Sequence, residues 1–223
     1  MSEHASQAEV SWRTPLWLGL ITLAAGALLW AIYVAVRVPT EAARRAAELS
    51  ELQKVLPPTR HDNDLLADSF VLDPAQPVFA QQELLGLSTA RRAYRATTDS
   101  QASAVILPLE TALGYRGAIV MLIGIDTNGE ITGVRAVQHN ETPGLGDRID
   151  LDKSRWILSF DSRSLTNTDP RLWGVKKDGG EFDQFVGATI TPRVVVNAVR
   201  KALEFFELNR EALLVSTAPE TPQ

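Results

Sequence analysis

The longest unbroken apolar run lies near the N-terminus. PLWLGLITLAAGALLWAIYVAV, from Pro15 to Val36, contains no charged residue. A helix rises about 1.5 Å per residue, so about 20 such residues cross the roughly 30 Å hydrocarbon core of a bilayer. Arg13 and Arg37 bracket the run, and Trp12, Trp17, Trp30 and Tyr33 lie toward its ends, where amphipathic rings favour the membrane interface. The run exceeds the about 7–15 apolar residues of a cleavable signal peptide, and no small-residue cleavage site follows. It predicts a short N-terminal tail over 1–14 and a retained transmembrane helix over 15–37. Arg37, Arg44, Arg45 and Lys54 follow the span and only Arg13 precedes it. That bias alone favours a cytoplasmic C-terminal domain, but long domains translocate largely regardless of charge, so the pattern leaves the side open.

Beyond the span the periodicity changes. EAARRAAELSELQKVL (41–56) combines strong helix formers with Ala/Leu spacing, and PPTRHDND (57–64) breaks it, because consecutive prolines cannot continue a helix. Residues 38–64 therefore read as a juxtamembrane helix and linker. The basic segment ARRAYRA (90–96) reads as a solvated helix face, with contact to anionic lipid or a partner as the alternative. Three apolar runs, AVILPLE (104–110), AIVMLIGID (118–126) and EITGVRAVQ (130–138), read as strands. Asn128-Gly129 between the last two signals a hairpin of type I′, whose two central residues both need positive φ, with Asp126 and Thr127 extending the loop. Ile131, Val134 and Ala136 share one face if a bulge sits near Gly133. Thr191-Pro192 predicts a helix start, Thr as N-cap and Pro at the first helical position. The following stretch carries apolar residues at 195, 198, 199, 202, 205, 206 and 208, one helical face. The fold expected is an α+β domain over 65–212, with a flexible tail over 213–223.

Composition narrows the chemistry. The 223 residues are 45% hydrophobic and 22% charged, with a net charge of −5 and no cysteine. An acidic chain is a poor nucleic-acid ligand. The absence of cysteine excludes disulfides, Cys-ligated zinc, iron–sulfur clusters and a lipidated N-terminal Cys. His61 beside Asp62 and Asp64 reads as a solvated loop rather than a metal site, which needs three or four converging ligands. No catalytic group and no metal are expected. HNETPGLGDRID (139–150) is a tight, specified turn whose glycines let backbone approach a flat ligand. It is neither a phosphate-binding P-loop nor a dinucleotide fingerprint, and taken alone it reads as a surface turn. His139 and Glu141 have no nucleophile beside them. At FVGATITP (185–192) a helix N-terminus offers free N–H donors and partial positive charge. An anion near Thr189 is stabilised there, and Gly187 and Ala188 keep the approach open. Local sequence gives Thr191 a capping role and Thr189 none.

These residues resemble a known family. Asp183-Gln184-Phe185-Val186-Gly187-Ala188-Thr189 is similar to the D-x-x-[ST]-G-A-[ST] flavinylation motif of FMN-binding domains, with Val186 standing where the motif has Ser or Thr. GYRGAIVMLIGID (114–126), HNETPGLGD (139–147), WGVKKDGGEFDQFVGATITPRVVVNAV (173–199) and the single N-terminal span resemble the G-subunit family of Rnf/Rsx ion-translocating electron transport complexes. The resemblance implies that a flavin transferase splits FAD and joins FMN to Thr189 by a phosphoester. Asp183 is then needed during attachment, with Gly187 and Ala188 beside the acceptor. Glu141, Thr142, Gly144, Leu145 and Gly146 line the isoalloxazine. Lys176 and Lys177 either neutralise phosphate or are solvated. It further implies an extracytoplasmic domain on the periplasmic side of the bacterial inner membrane. There it relays electrons between other subunits of a membrane electron transport complex, with no substrate turnover of its own. The C subunit of the sodium-pumping NADH:quinone reductase and a cofactor-free anchored assembly module are the alternatives.

Overall fold

A computed structural model describes residues 13–37 and 41–215. The expected N-terminal tail over 1–14 and the end of the expected C-terminal tail therefore lie largely outside the described residues. The chain forms two compact units, Met1–Ala46 and Ala47–Gln223. In the first, α1 (Arg13–Arg37) is long and apolar enough over Leu16–Tyr33 to cross a membrane. Its apolar side chains, Trp17, Leu23 and Trp30 among them, are exposed. Helix α2 (Glu41–Gln53) follows.

The second unit is an antiparallel meander carrying one long helix. Strands β1 (Ser69–Leu72), β2 (Arg91–Thr98), β3 (Gln101–Gly114), β4 (Gly117–Asp126) and β5 (Ile131–Gln138) pair in chain order. Helix α3 (Ile190–Leu214) packs on one face. Side chains alternate across a strand, and β3 shows the consequence. Val105, Leu107 and Leu109 join the core with Val195, Val199, Ala202 and Phe206 of α3. Ala104 and Ile106 point to the other face, where Leu52, Val55, Leu56 and Leu65 cover them. Both faces are buried, which is why β3 reads as an unbroken apolar run.

The second face corrects the expected domain boundary. Residues 47–64 belong to the folded unit rather than to a linker. Leu52, Val55 and Leu56 are at most 1% exposed. The chain at Val55 crosses so close to the sheet that a Cβ at Gly124 or Gly133 would approach its carbonyl oxygen to 2.9 Å. Those two glycines are paired across β4 and β5. The bulge expected near Gly133 is present. Ile131 pairs with Ile125 and Val134 with Ile123, so β5 carries one extra residue between them. That residue keeps Ile131, Val134 and Ala136 on the helix-covered face.

One turn expectation is corrected. Gly129 takes φ +84° but Asn128 does not take a positive φ. The four-residue connection closes instead with Asp126 Oδ1 accepting from the N–H groups of Asn128 and Glu130. The turn with two positive-φ residues joins β2 to β3 at Asp99 (φ 52°) and Ser100 (φ 62°), as a type I′ hairpin requires.

The basic segment 90–96 is not a helix face but β2. Arg92 lies 3.8 Å from Glu48 and Arg91 3.6 Å from the buried Glu110. Arg95 turns inward, stacks over Phe70 at 4.2 Å and donates through Nε to the carbonyl of Leu213 at 2.8 Å. A cation at a helix C-terminus meets the negative end of its dipole. Helix α3 runs through a fully buried Leu213, so it extends past the expected tail start. Leu208, expected on its apolar face, is 54% exposed.

Candidate functional site

The site is assembled where three chain segments meet the N-terminus of α3. The first is the tip of the β3–β4 hairpin, Gly114-Tyr115-Arg116-Gly117. Gly114 pairs with Gly117, leaving only Tyr115 and Arg116 in the turn, and Gly117 takes φ +112°. The second is the loop after β5. The Thr142 carbonyl accepts from the N–H groups of Leu145 and Gly146 at 3.1 and 3.0 Å, winding 142–146 into a tight turn. Gly144 at its tip takes φ +76°, a conformation that costs other residues about 1–2 kcal/mol.

The third segment is the loop before α3. Its anchors are aromatic. Phe182 and Phe185 are 2% and 4% exposed. Trp156 meets Phe185 edge-on at 5.0 Å and donates its indole N–H to the carbonyl of Asp183 at 2.8 Å. Between these anchors Phe185–Ala188 forms a turn closed by the Ala188 N–H on the Phe185 carbonyl. Gly187 takes the positive φ (+81°) that the third position of a type II turn requires. Val186, the residue that departs from the motif, sits at the tip, 84% exposed.

These segments enclose a cavity of about 230 Å³ lined by Tyr115, Glu141, Thr142, Leu145, Gly146, Gly187, Ala188, Thr189 and Ile190. Seven of the nine sequence-selected residues therefore converge. Gly144 shapes the loop from its tip without lining the cavity. Asp183 also lies outside the lining. Its side chain is exposed and pairs with Lys176 at 2.6 Å, so Lys176 meets a carboxylate, a partner the sequence reading did not foresee. A wider depression of about 380 Å³ lies on the opposite sheet face between α2 and β2–β5, lined by Glu48, Tyr94 and Val120 among others. None of the sequence-selected residues borders it.

Thr191 does not take the capping role expected of it. Helix α3 begins two residues earlier than expected. Thr189 occupies the cap position with helical dihedrals (φ −68°, ψ −25°) and makes no side-chain capping bond. The residue is half-buried and lines the cavity. Thr191 is not the cap. It is fully buried, and its hydroxyl donates to Glu141 Oε2 at 2.5 Å. Glu141 is 5% exposed, and its Oε1 accepts from the Arg116 N–H at 3.1 Å. One carboxylate thus ties the 142–146 loop, the hairpin tip and α3 together. Gly146 leaves it room, since a Cβ there would come within 2.5 Å of Glu141 Oε2.

A second layer holds Glu141. Its N–H donates to His139 Nδ1 at 3.1 Å, and His139 Nε2 lies 2.9 Å from Asp150. An imidazole accepting at Nδ1 and donating at Nε2 satisfies both contacts. Asp178 and Arg193 brace the rim through two bonds of 2.6 and 2.9 Å. The Arg193 hydrogen bond holds the Asp178 carboxyl below its usual range, as an Arg163 hydrogen bond does for Glu181. Among the described residues no group of three or more acidic or histidine side chains could hold a metal ion.

The residues present fit an esterified flavin. An oxygen nucleophile not used for capping stands at a helix N-terminus, where a phosphate is stabilised by about 0.3–1 kcal/mol. The Glu141 carboxylate shares that positive end through Thr191, which offsets part of the gain. The cavity is smaller than the roughly 300–1,000 Å³ of clefts that enclose a ligand. It suits a ligand held partly in the open by a covalent bond. Sequence reasoning missed Tyr115 and Ile190, because an exposed aromatic at a hairpin tip and an apolar residue in a first helical turn have no local signal for a site.

Residues 114–204 match the family model of the FMN-binding domain. The chain is 48% identical over 208 residues to the G subunit of the ion-translocating oxidoreductase complex of Pseudomonas aeruginosa (strain UCBPP-PA14), covering 93% of this chain and 92% of that one. To the corresponding G subunit of Vibrio vulnificus (strain YJ016) it is 47% identical over 165 residues, 74% of each chain. Among solved structures it is similar to the C subunit of the Na(+)-translocating NADH-quinone reductase of Parabacteroides distasonis. The TM-score is 0.43 and the identity 18%, over 76% of this chain and 97% of that one.

Proposed function

The chain belongs to the G-subunit family of ion-translocating oxidoreductase complexes, and on that premise we propose that it is a membrane-anchored flavoprotein carrying FMN on Thr189. The observation that supports this most is Thr189 itself, which lines the cavity at the mouth of α3 with a hydroxyl that makes no capping bond. During maturation a flavin transferase presents FAD. Thr189 Oγ1 loses its proton and forms a bond to the phosphorus on the FMN side, while the pyrophosphate P–O bond breaks and AMP leaves. Asp183, exposed and paired with the flexible Lys176, is accessible to the transferase as a recognition or metal-holding group.

FMN, when bound, supplies one- and two-electron redox chemistry. The chain supplies position. The Glu141–Gly146 loop would line the isoalloxazine, its own N–H groups at Glu141, Leu145 and Gly146 being held within the fold, and the first turn of α3 would hold the phosphate. The Glu141–Thr191 bond keeps the two in register. No residue here turns over a substrate by itself, so electrons arrive from and leave to other subunits of the complex, and ion transport belongs to neighbours with several spans.

Helix α1 anchors the chain in the bacterial inner membrane, with the C-terminal domain on the periplasmic side. A covalent tether suits that side, where a dissociated flavin could not be replaced from the cytoplasmic pool. The test is co-expression with a flavin transferase, followed by a denaturing gel under ultraviolet light and intact-mass measurement. A fluorescent band with the mass of one FMN ester, absent in Thr189→Ala, is expected. A dark wild-type band with the bare polypeptide mass returns the chain to a cofactor-free assembly module.

A further inference from the structure

The hairpin tip presents an aromatic ring that the fold itself does not use. Tyr115 is 68% exposed, yet it lines the cavity that holds the Thr189 hydroxyl. Exposed tyrosines on long loops are common, but this one is not on a long loop. It is one of two residues between the paired Gly114 and Gly117. A Cβ at Gly114 would meet the Gly117 carbonyl at 2.3 Å and Glu141 Oε1 at 2.9 Å, so the turn is packed directly on the Glu141 carboxylate. The N–H of the next residue, Arg116, donates to that same carboxylate oxygen. The ring is therefore carried by a backbone already fixed, so the ring's own rotamer freedom is what remains to be lost when a ligand meets it.

A flat aromatic ligand esterified at Thr189 meets a rigidly carried aromatic partner on the wall of this cavity. We propose, building on the flavin reading above, that Tyr115 is a binding residue whose ring packs against the isoalloxazine, shielding one part of it from solvent. Its electron-rich phenol then lies in contact with the flavin, close enough to quench its emission by electron donation. Offset or edge-on contact between aromatic systems is favourable beyond the apolar area it covers. Glu141 acts here as a positioning residue, holding the hairpin tip through the Arg116 N–H.

The experiment uses the full-length chain co-expressed with a flavin transferase, comparing wild type, Tyr115→Phe and Tyr115→Leu. Intact mass gives loading, far-ultraviolet circular dichroism gives fold, and fluorescence with iodide titration reports the flavin's surroundings. Fold should match in all three, since the side chain is largely exposed, and fluorescence is compared per mole of ester found by intact mass. Emission should rise in both variants, because neither Phe nor Leu donates an electron to excited flavin. Iodide access should rise in Tyr115→Leu by roughly 2- to 13-fold, the range that aromatic pairing energies imply, and stay near wild type in Tyr115→Phe, which keeps the ring. Equal emission and equal iodide access across three loaded proteins would overturn the assignment of Tyr115 while leaving the FMN ester intact. A wild type without the ester mass overturns both.

Discussion

The hydroxyl of Thr191 donates to the carboxylate of Glu141 at 2.5 Å, with both groups buried. Two residues away, the hydroxyl of Thr189 makes no capping bond. Of two threonines in one helix turn, one is thus tied into the fold and the other makes no capping bond. A buried donor removed from a carboxylate leaves the acceptor unsatisfied, at a cost of about 1–3 kcal/mol. Thr191→Val should lower the unfolding free energy in urea by that amount. Thr189→Ala should stay within about 0.5 kcal/mol of wild type, although a capping Thr ordinarily costs about 0.5–2 kcal/mol to remove. Equal destabilisation by both would contradict the assignment of roles.

Gly146 and Gly144 sit in one loop for different reasons. At Gly146 an added Cβ meets Glu141 Oε2 at 2.5 Å and Thr191 Oγ1 at 3.0 Å. Gly146→Ala should cost about 1–3 kcal/mol by overpacking, and flavin loading should fall as the Glu141–Thr191 contact opens. At Gly144 no atom lies within 4 Å of an added Cβ, and only the φ of +76° opposes substitution. Gly144→Ala should cost about 1–2 kcal/mol, and Gly144→Asn less, since Asn tolerates that region. Thermal unfolding and flavin loading of the three variants check this. An Asn variant as damaged as Gly146→Ala would refute the distinction.

The Asp178–Arg193 pair sets an acid-side signature. Asp178 titrates lower in the folded chain than its ordinary value, chiefly through the Arg193 hydrogen bond. A depressed folded value stabilises the native state above the unfolded value of about 3.9, and that contribution disappears as pH falls through the lower folded value. In Arg193→Met the chief cause of the depression is gone, with Lys177 left as the minor one. The stability difference between wild type and variant should be present at neutral pH and shrink between about pH 5 and 2, followed by tryptophan fluorescence in urea at each pH. The pair is exposed, so the neutral-pH difference should be small and weaken with salt. A difference independent of pH over that window would remove Asp178 as its cause.

The cysteine-free chain allows a clean topology test. Val78 is 74% exposed in the loop after β1. A Val78→Cys protein in intact spheroplasts should react with a membrane-impermeant maleimide as fully as after lysis. Labelling only after lysis would put the domain on the cytoplasmic side, as the flanking charges alone suggest.

The apolar stretch of α1, the three strand runs and the long amphipathic α3 were legible in the sequence because each depends on local periodicity, which a chain displays whatever it packs against. The β5 bulge was legible for the same reason, since the spacing of Ile131, Val134 and Ala136 fits a strand only with one residue extra. Sequence also selected the loop and motif residues that line the cavity, through a pattern shared with a family rather than through local physics. The tertiary structure decided what depends on distant partners. Arg95 reads as solvated until the carbonyl of Leu213 is brought to it across 118 residues. Residues 47–64 read as the end of a juxtamembrane helix and a linker until the second face of the sheet needs a cover. Thr191 reads as a cap until Glu141, 50 residues earlier, claims its hydroxyl. That contact moves the capping position to Thr189 and leaves the oxygen there open to chemistry. A hydrogen bond between segments so far apart has no periodicity to announce it, so only the folded chain could give Thr191 its partner.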